Sequence, residues 1–365
     1  MLRAQSFLAK RDRSLAELLV GWLLLPFSLL YLTVVTMRRT AYSIGLCKSV
    51  RLPVKVISVG GITVGGSGKT PAVIHIAEIL SSLGKSTLIL TRGYGGDVES
   101  PTVLYPDGNR SERRRSGISL LSDEVELMAA RTESAIGIGR DRLASFKMAT
   151  TTHGFDAAIL DDGFQHLKIK RDLEIVVLDA TAPFGSGHLL PSGNLREPRR
   201  TLKQADLILL TRISQADDRD SVLAKFTRDY GVNRVVASNY VCDSVVELHN
   251  GKATPMSELA GLPLCAVAAI ANPDSFFKML TEHGLQIRHR RAFVDHHIFT
   301  QAEMREVAAE AISVGCRALI VTEKDAVKLE ALDFCGLDVY VYRIRLQIAA
   351  GEANLHQSLL GLFDD

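Results

Sequence analysis

Cysteine is scarce in this sequence, and neither sign of charge is in excess. Five cysteines occur (Cys47, Cys242, Cys265, Cys316 and Cys335), and none stands in a C-x-x-C pair. An odd, scattered set builds neither a disulfide framework nor a zinc ribbon, and it fits a reducing compartment. The formal net charge is only +2, so no global field calls for nucleic acid. Internal repeats and low-complexity tracts are absent, and so is an N-K-x-D base-specificity motif. Long uncharged runs are missing too, with one exception. Leu18 to Met37 reads LLVGWLLLPFSLLYLTVVTM, without a single charge. A helix of that length spans roughly 30 Å, about the hydrocarbon core of a bilayer. It is too long for a typical signal h-region, and no A-x-A site follows. Basic residues flank both ends (Lys10, Arg11 and Arg13 before, Arg38 and Arg39 after), so charge gives no orientation. A membrane span, a helix lying in the interface and a buried core helix are the three readings.

What is present is the ordinary mix of a globular protein. A chain of 365 residues is long for one domain and comfortable for two. One local excess stands out: Arg110, Arg113, Arg114 and Arg115 form a basic loop. It is either simply solvated or a contact for acidic lipid or a phosphorylated substrate.

Apolar runs and breakers place the elements. Val54 to Val59 reads as a short strand, a glycine-rich turn follows, and Pro71 opens a helix stopped by Gly84. Further strands are expected at Ser86–Leu90, Asp156–Leu160, Leu173–Leu178 and Asp206–Leu210, with residues 97–117 as a loop. Strands alternating with helices imply a largely parallel sheet covered on both faces. Past residue 235 the pattern restarts. Strands are expected at Leu264–Ile270, Ala318–Val321 and Val339–Tyr342. One helix is expected at Pro273–His283, and another, boxed by Thr300 and Glu303, ends near Gly315. The fold class expected is therefore α/β: a P-loop NTPase-like parallel-sheet domain with helices on both faces, a second, smaller α/β domain, and an N-terminal membrane-associated helix. The expected division is 1–40 for the membrane helix, 41–234 for the P-loop domain and 235–343 for the smaller domain. Residues 344–365 form a C-terminal segment returning to the first domain.

Five motifs carry chemistry. Thr63, Val64, Gly65, Gly66, Ser67, Gly68, Lys69 and Thr70 lie between a strand and a helix, the context a phosphate-binding loop requires. Glycines let backbone N–H groups wrap phosphates, and the helix N-terminus adds a positive end. Lys69 reaches the β- and γ-phosphates, and Thr70 holds Mg²⁺. Asp161 and Asp162 end a buried strand, where an acid orients Mg²⁺ or its waters. Ser122-Asp123-Glu124 reads equally as a helix cap and as a proton acceptor beside a metal ligand. Asp295-His296-His297 is either a surface pair before a capped helix or a histidine tuned by a carboxylate. Phe184 to Pro198 is a long loop with apolar residues, so it is more than a tether.

These residues together resemble the tetraacyldisaccharide 4′-kinase family of lipid A biosynthesis. The shared blocks are VISVGGITVGGSGKTP, LTRGYGG, SDEVELMA, DDGFQHLKIKRDLEIVVLDA, FGSGHLLPSGNLREP, VDHH and VTEKDAVK. The chain departs at Gly61, where the family usually has Asn, and at Asn194, where it usually has Pro. The resemblance implies transfer of the γ-phosphate of ATP to the 4′-hydroxyl of a tetraacylated glucosamine disaccharide 1-phosphate, giving lipid IVA. It implies Asp123 as general base, His296 as its partner, and Lys69 on the phosphates. It implies Thr70, Glu124, Asp161 and Asp162 around Mg²⁺. It places Arg92, Tyr94, Arg142, Gln165, His166, Arg196 and Glu197 in the substrate region. Asp123 and His296 then meet only when two domains close, which suppresses wasteful ATP hydrolysis. The implied partners are the lipid A disaccharide precursor and the bilayer, with no nucleic acid and no obligate protein partner. The implied location is the inner membrane, with the catalytic domains on the cytoplasmic side. Two other readings stay open on the motifs alone: a membrane-tethered P-loop nucleotide switch, and a kinase of a soluble small molecule.

Overall fold

A computed structural model describes residues 15–93, 101–106 and 121–364. Tyr94 and the basic loop at 110–115 lie outside the described residues. The chain divides into two compact units. One holds the residues up to 121, then 128–240, then those from 346 onward; the other holds 122–127 and 241–345.

The first unit is built on a parallel sheet. Its strands are β1 (Lys55–Gly60), β2 (Thr87–Thr91), β3 (Thr102–Leu104), β4 (Ala135–Ile138), β5 (Ala157–Asp161), β6 (Leu173–Asp179), β7 (Leu207–Thr211) and the start of β8 (Val235–Glu247). They lie in the order β8-β7-β6-β1-β5-β2-β4-β3, parallel throughout except for β3 against β4. β1, β2, β5 and β7 are runs such as VISV, TLILT, AAIL and LILLT with both faces buried, as a covered parallel sheet requires. Because β1 and β5 run in register, with Val59 beside Asp161, both deliver their C-terminal ends to one place. In open α/β sheets that end is where ligands bind.

The second unit repeats the architecture on a smaller scale. β9 (Leu264–Ala268), β10 (Ile287–Ala292), β11 (Ala318–Thr322) and the first part of β12 (Asp338–Ala350) lie parallel in the order β10-β9-β11-β12. Its core joins Cys265, Val267, Leu319 and Val321 of the strands to Met304 and Val307 of the helix Gln301–Ser313. That helix starts with the expected capping box, Thr300 and Glu303 each bonding the other's backbone N–H. Cys265 and Cys316 serve as small apolar core residues, and burial pushes the Cys265 thiol up to about 12.

The structure departs from the sequence reading in several elements. Residues 102–104, expected in a loop, form an antiparallel edge strand. β4 and the helix Arg142–Thr150 go unread because each is short and follows charged residues. β10 (IRHRRA) alternates half-buried with exposed positions, so charge on its open face hides the period-two signal. β8 and β12 are 13 residues each, far longer than the apolar runs that mark their cores.

The N-terminal helix runs from Leu15 to Ser43 and accommodates Pro26. Only 11% of its most apolar window is buried, so it is not a core helix. Among the described residues it is the one helix long and apolar enough to cross a membrane. One face is fixed to the long loop of the first unit by polar bonds. Ser28 donates to the Leu189 carbonyl at 3.0 Å, Ser192 donates to the Gly21 carbonyl at 2.9 Å, and Tyr31 donates to the Arg196 carbonyl at 3.1 Å. Trp22, Phe27, Leu30 and Met37 stay exposed.

Candidate active site

The phosphate loop follows β1 and leads into the helix Lys69–Ser82. Gly68 is the N-cap in the left-handed region at φ 87°, and the first helical turn has no acid to cancel its positive end. A Cβ on Gly68 would overlap the hydroxyl oxygen of Tyr240. Other residues brace the loop. Thr211 donates to the Ser67 carbonyl at 3.0 Å, and Val64 donates to the Asn194 carbonyl at 2.8 Å. Arg212 donates to the Gly66 carbonyl at 3.2 Å and pairs with Asp179. The Asn194 contact is through its carbonyl, which a proline also offers, so this departure keeps the brace.

Asp161 and Asp162 have different surroundings. Asp161 is buried and accepts from Thr91 Oγ1 at 2.8 Å, while its backbone carbonyl accepts from Arg142. Asp162 sits in the left-handed region at φ 48°. Its Oδ2 pairs with Arg196 at 2.6 Å, and its Oδ1 lies 3.7 Å from Lys69 Nζ. Burial raises its pKa, but Lys69, Arg196 and Arg142 outweigh that and hold it at about 2. Asp162 Oδ1 is buried without a hydrogen-bond donor, and Thr70 is also buried. A buried carboxylate oxygen that lacks a donor suits a hard cation or its water. No cluster of three metal-ligating side chains stands among the described residues.

The residues assigned to the substrate region spread around this point. Gln165 donates to the Gly61 carbonyl at 2.9 Å and faces Arg196 at 3.4 Å. Arg92 is exposed just past the end of β2. Arg142 is buried, and burial works against its charge while Asp161 and Asp162 support it. Burial and the nearby Arg142, Arg171 and Lys168 charges lower the His166 pKa to about 4, so its ring is neutral at pH 7. Glu197 is buried and paired with Arg39 of the N-terminal helix at 2.7 Å.

Asp123 and Glu124 belong to the second compact unit, with His296. The sequence division places Asp123 in the first domain and brings it to His296 only on closure; instead the two are hydrogen-bonded within one unit. His296 Nδ1 lies 3.0 Å from Asp123 Oδ1. Ser122 also caps the helix, accepting from Val125 N at 3.4 Å, as the capping reading expects. His296 is at φ 61° and Asp123 is almost fully buried. Two lysines missing from the sequence assignment complete the group. Lys328 Nζ is 3.2 Å and Lys324 Nζ 3.7 Å from Asp123 Oδ2, and Lys324 also pairs with Asp295 at 3.1 Å. They lie four apart on the helix Glu323–Leu329, hence on one face. Their signal was present in the block VTEKDAVK, as two lysines at helical spacing straight after a buried strand. Burial favours a neutral Asp123. The hydrogen bond from His296 and the charges of Lys324 and Lys328 prevail and hold its carboxyl well below the usual range. The reciprocal bond raises the His296 pKa. His297 is separately engaged, 3.0 Å from Glu303.

A family profile described as "LpxK: Tetraacyldisaccharide-1-P 4'-kinase" matches residues 20–364. The chain belongs to this kinase family. It is 38% identical to the tetraacyldisaccharide 4'-kinase of Pelobacter propionicus over 342 residues, 93% of this chain and 90% of that one. It is also 38% identical to the enzyme of that name from Anaeromyxobacter sp., over 88% of this chain and 86% of that one. A crystal structure of LpxK from Aquifex aeolicus, in complex with ATP, superposes with a TM-score of 0.72 at 27% identity, covering 94% of this chain and 99% of that chain. Family membership fixes the activity as phosphoryl transfer to a tetraacyldisaccharide 1-phosphate in lipid A biosynthesis. The nucleotide-switch and soluble-substrate readings fall away.

Proposed function

We propose that the loop Thr63–Thr70 binds ATP and that Asp123 is the base for the 4′-hydroxyl. The carrying observation is the convergence of Lys69 and Arg196 on Asp162 at the mouth of that loop. Phosphoryl transfer asks a protein mainly for positioning and charge neutralisation. Loop N–H groups and the helix N-terminus hold the phosphates, and Lys69 leaves Asp162 to reach them. Thr70, Asp162 and Asp161 would hold Mg²⁺, and the ion would neutralise phosphate charge. Arg196, half-buried beside Asp162, suits a phosphate by forked hydrogen bonds.

Asp123 is the proposed proton acceptor. A carboxylate pinned by His296, Lys324 and Lys328 is fully ionised and weakly basic. That suits a loose transition state, in which the hydroxyl proton leaves late. His296 orients the carboxylate through Nδ1. The apolar helix Gly21–Ser43 keeps the enzyme at the inner membrane, with the catalytic units on the cytoplasmic side where ATP is available. The substrate's acyl chains then stay in the bilayer. The test is transfer of labelled γ-phosphate from ATP to the lipid disaccharide in detergent micelles, with Lys69→Ala alongside. Loss of transfer in that variant supports the reading, and near-normal transfer removes the loop from the reaction.

A further inference from the structure

The last turns of the helix Leu15–Ser43 form one wall of a cavity of about 630 Å³ in the first unit. That volume lies within the usual range for small-molecule sites. Five cations line it, Arg39, Arg51, Lys170, Arg171 and Arg200, and no carboxylate does. Three of the five are matched from behind: Arg39 by Glu197 at 2.7 Å, Arg51 by Asp172 at 2.8 Å and Arg171 by Glu174 at 2.6 Å. Among the described residues Lys170 and Arg200 have no such match, and Arg200 donates there to the Thr36 hydroxyl at 3.2 Å. Among the described residues, the cavity therefore carries unmatched positive charge beside the hydroxyls of Thr40 and Ser43.

The helix face that enters this cavity changes character along its length. Trp22, Leu25, Leu29 and Leu32 recur at three- and four-residue steps, and the same face continues as Thr36, Thr40 and Ser43. Trp22 is 72% and Leu29 64% exposed. From Leu25 to Thr36 the helix rises roughly 16 Å, about half a bilayer's hydrocarbon core. An apolar track one leaflet long thus ends in a cationic cavity.

We infer that this face and cavity bind one bilayer phospholipid with an anionic headgroup. The acyl chains lie along Trp22, Leu25, Leu29 and Leu32, and the phosphate sits between Lys170 and Arg200. The inference rests on the membrane placement of the helix proposed above. The substrate has similar chemistry, but a helix held in a bilayer meets bulk phospholipid at far higher concentration.

The test is vesicle flotation of the full-length protein with phosphatidylcholine alone and with added phosphatidylglycerol. The wild type should bind the anionic vesicles about 10–30-fold more tightly, the scale for two basic residues at a charged surface. Lys170→Glu with Arg200→Glu should lose that gain while keeping its binding to phosphatidylcholine. Arg219→Glu with Arg228→Glu makes the same charge change on an exposed helix and should keep the gain. An equal loss in both double variants overturns the site in favour of a general field, as does retention of the gain in Lys170→Glu/Arg200→Glu. If that variant keeps the gain but has a raised KM for the tetraacyl disaccharide, the cavity belongs to the substrate instead. Failure of the wild type to float with either vesicle sinks the membrane placement, and the site with it.

Discussion

Asp123 concentrates the argument at the scale of single residues. Burying a carboxylate costs several kcal/mol. Each cation near 4 Å returns about 4 kcal/mol at an effective dielectric near 20. Two ammonium groups and an imidazole therefore win, and the carboxylate stays charged. Asp123→Asn should lower kcat by about two to four orders of magnitude, the usual scale for a general base, with the KM for ATP little changed. Steady-state kinetics that instead show near-normal turnover would eliminate the role. Lys328→Met should cost about ten- to a hundredfold in kcat by letting the carboxylate drift, with Lys328→Arg retaining most of the rate. Equal rates for Lys328→Met and wild type would make the lysine a bystander. The pairing of Asp123 with His296 came from family resemblance; the motifs alone left helix capping and chemistry equal. A lysine on a helix is ordinarily a solvated charge, so only the fold shows what Lys324 and Lys328 face.

Among the elements, the phosphate loop was the most legible from sequence, because strand, glycines, Lys-Thr and helix occur in order. Its braces were not. Thr211 at the end of β7, Arg212 just after it and Tyr240 of β8 reach it from far along the chain. Gly68→Ala should abolish nucleotide binding by calorimetry while the protein stays folded. The left-handed backbone costs an alanine only about 1–2 kcal/mol, but the overlap with the Tyr240 hydroxyl forces the loop to move. Retained affinity would show that the loop tolerates the shift. Gly61 also gains a physical reading. A Cβ there meets Ser67 Oγ at 3.4 Å, and that hydroxyl is buried without a partner. The family's usual Asn would stand beside it. Short or charged strands such as β4 and β10 escaped the reading, since apolar runs reveal only strands buried on both faces.

For the whole molecule, the two-unit α/β plan and the apolar helix follow from the alternation of strands and helices and from one uncharged run. The assignment of residues 122–127 to the second unit does not, because it depends on contacts rather than on chain order. Acid sensitivity is also a property of the whole fold. His166 has a folded pKa of about 4 against an ordinary 6.5. The unfolded chain binds its proton first, so this stability is complete above pH 6.5 and is lost as pH falls towards 4. Urea unfolding at pH 7 and pH 5 should show that loss, and His166→Gln should reduce it. An identical pH dependence in the variant would place the effect elsewhere.

The most direct test of the whole account is a lipid kinase assay with tetraacyldisaccharide 1-phosphate and ATP, using full-length protein. The account predicts a bisphosphorylated lipid formed one-for-one with ADP, and no product from Lys69→Ala. ADP released without phosphorylated lipid would contradict it.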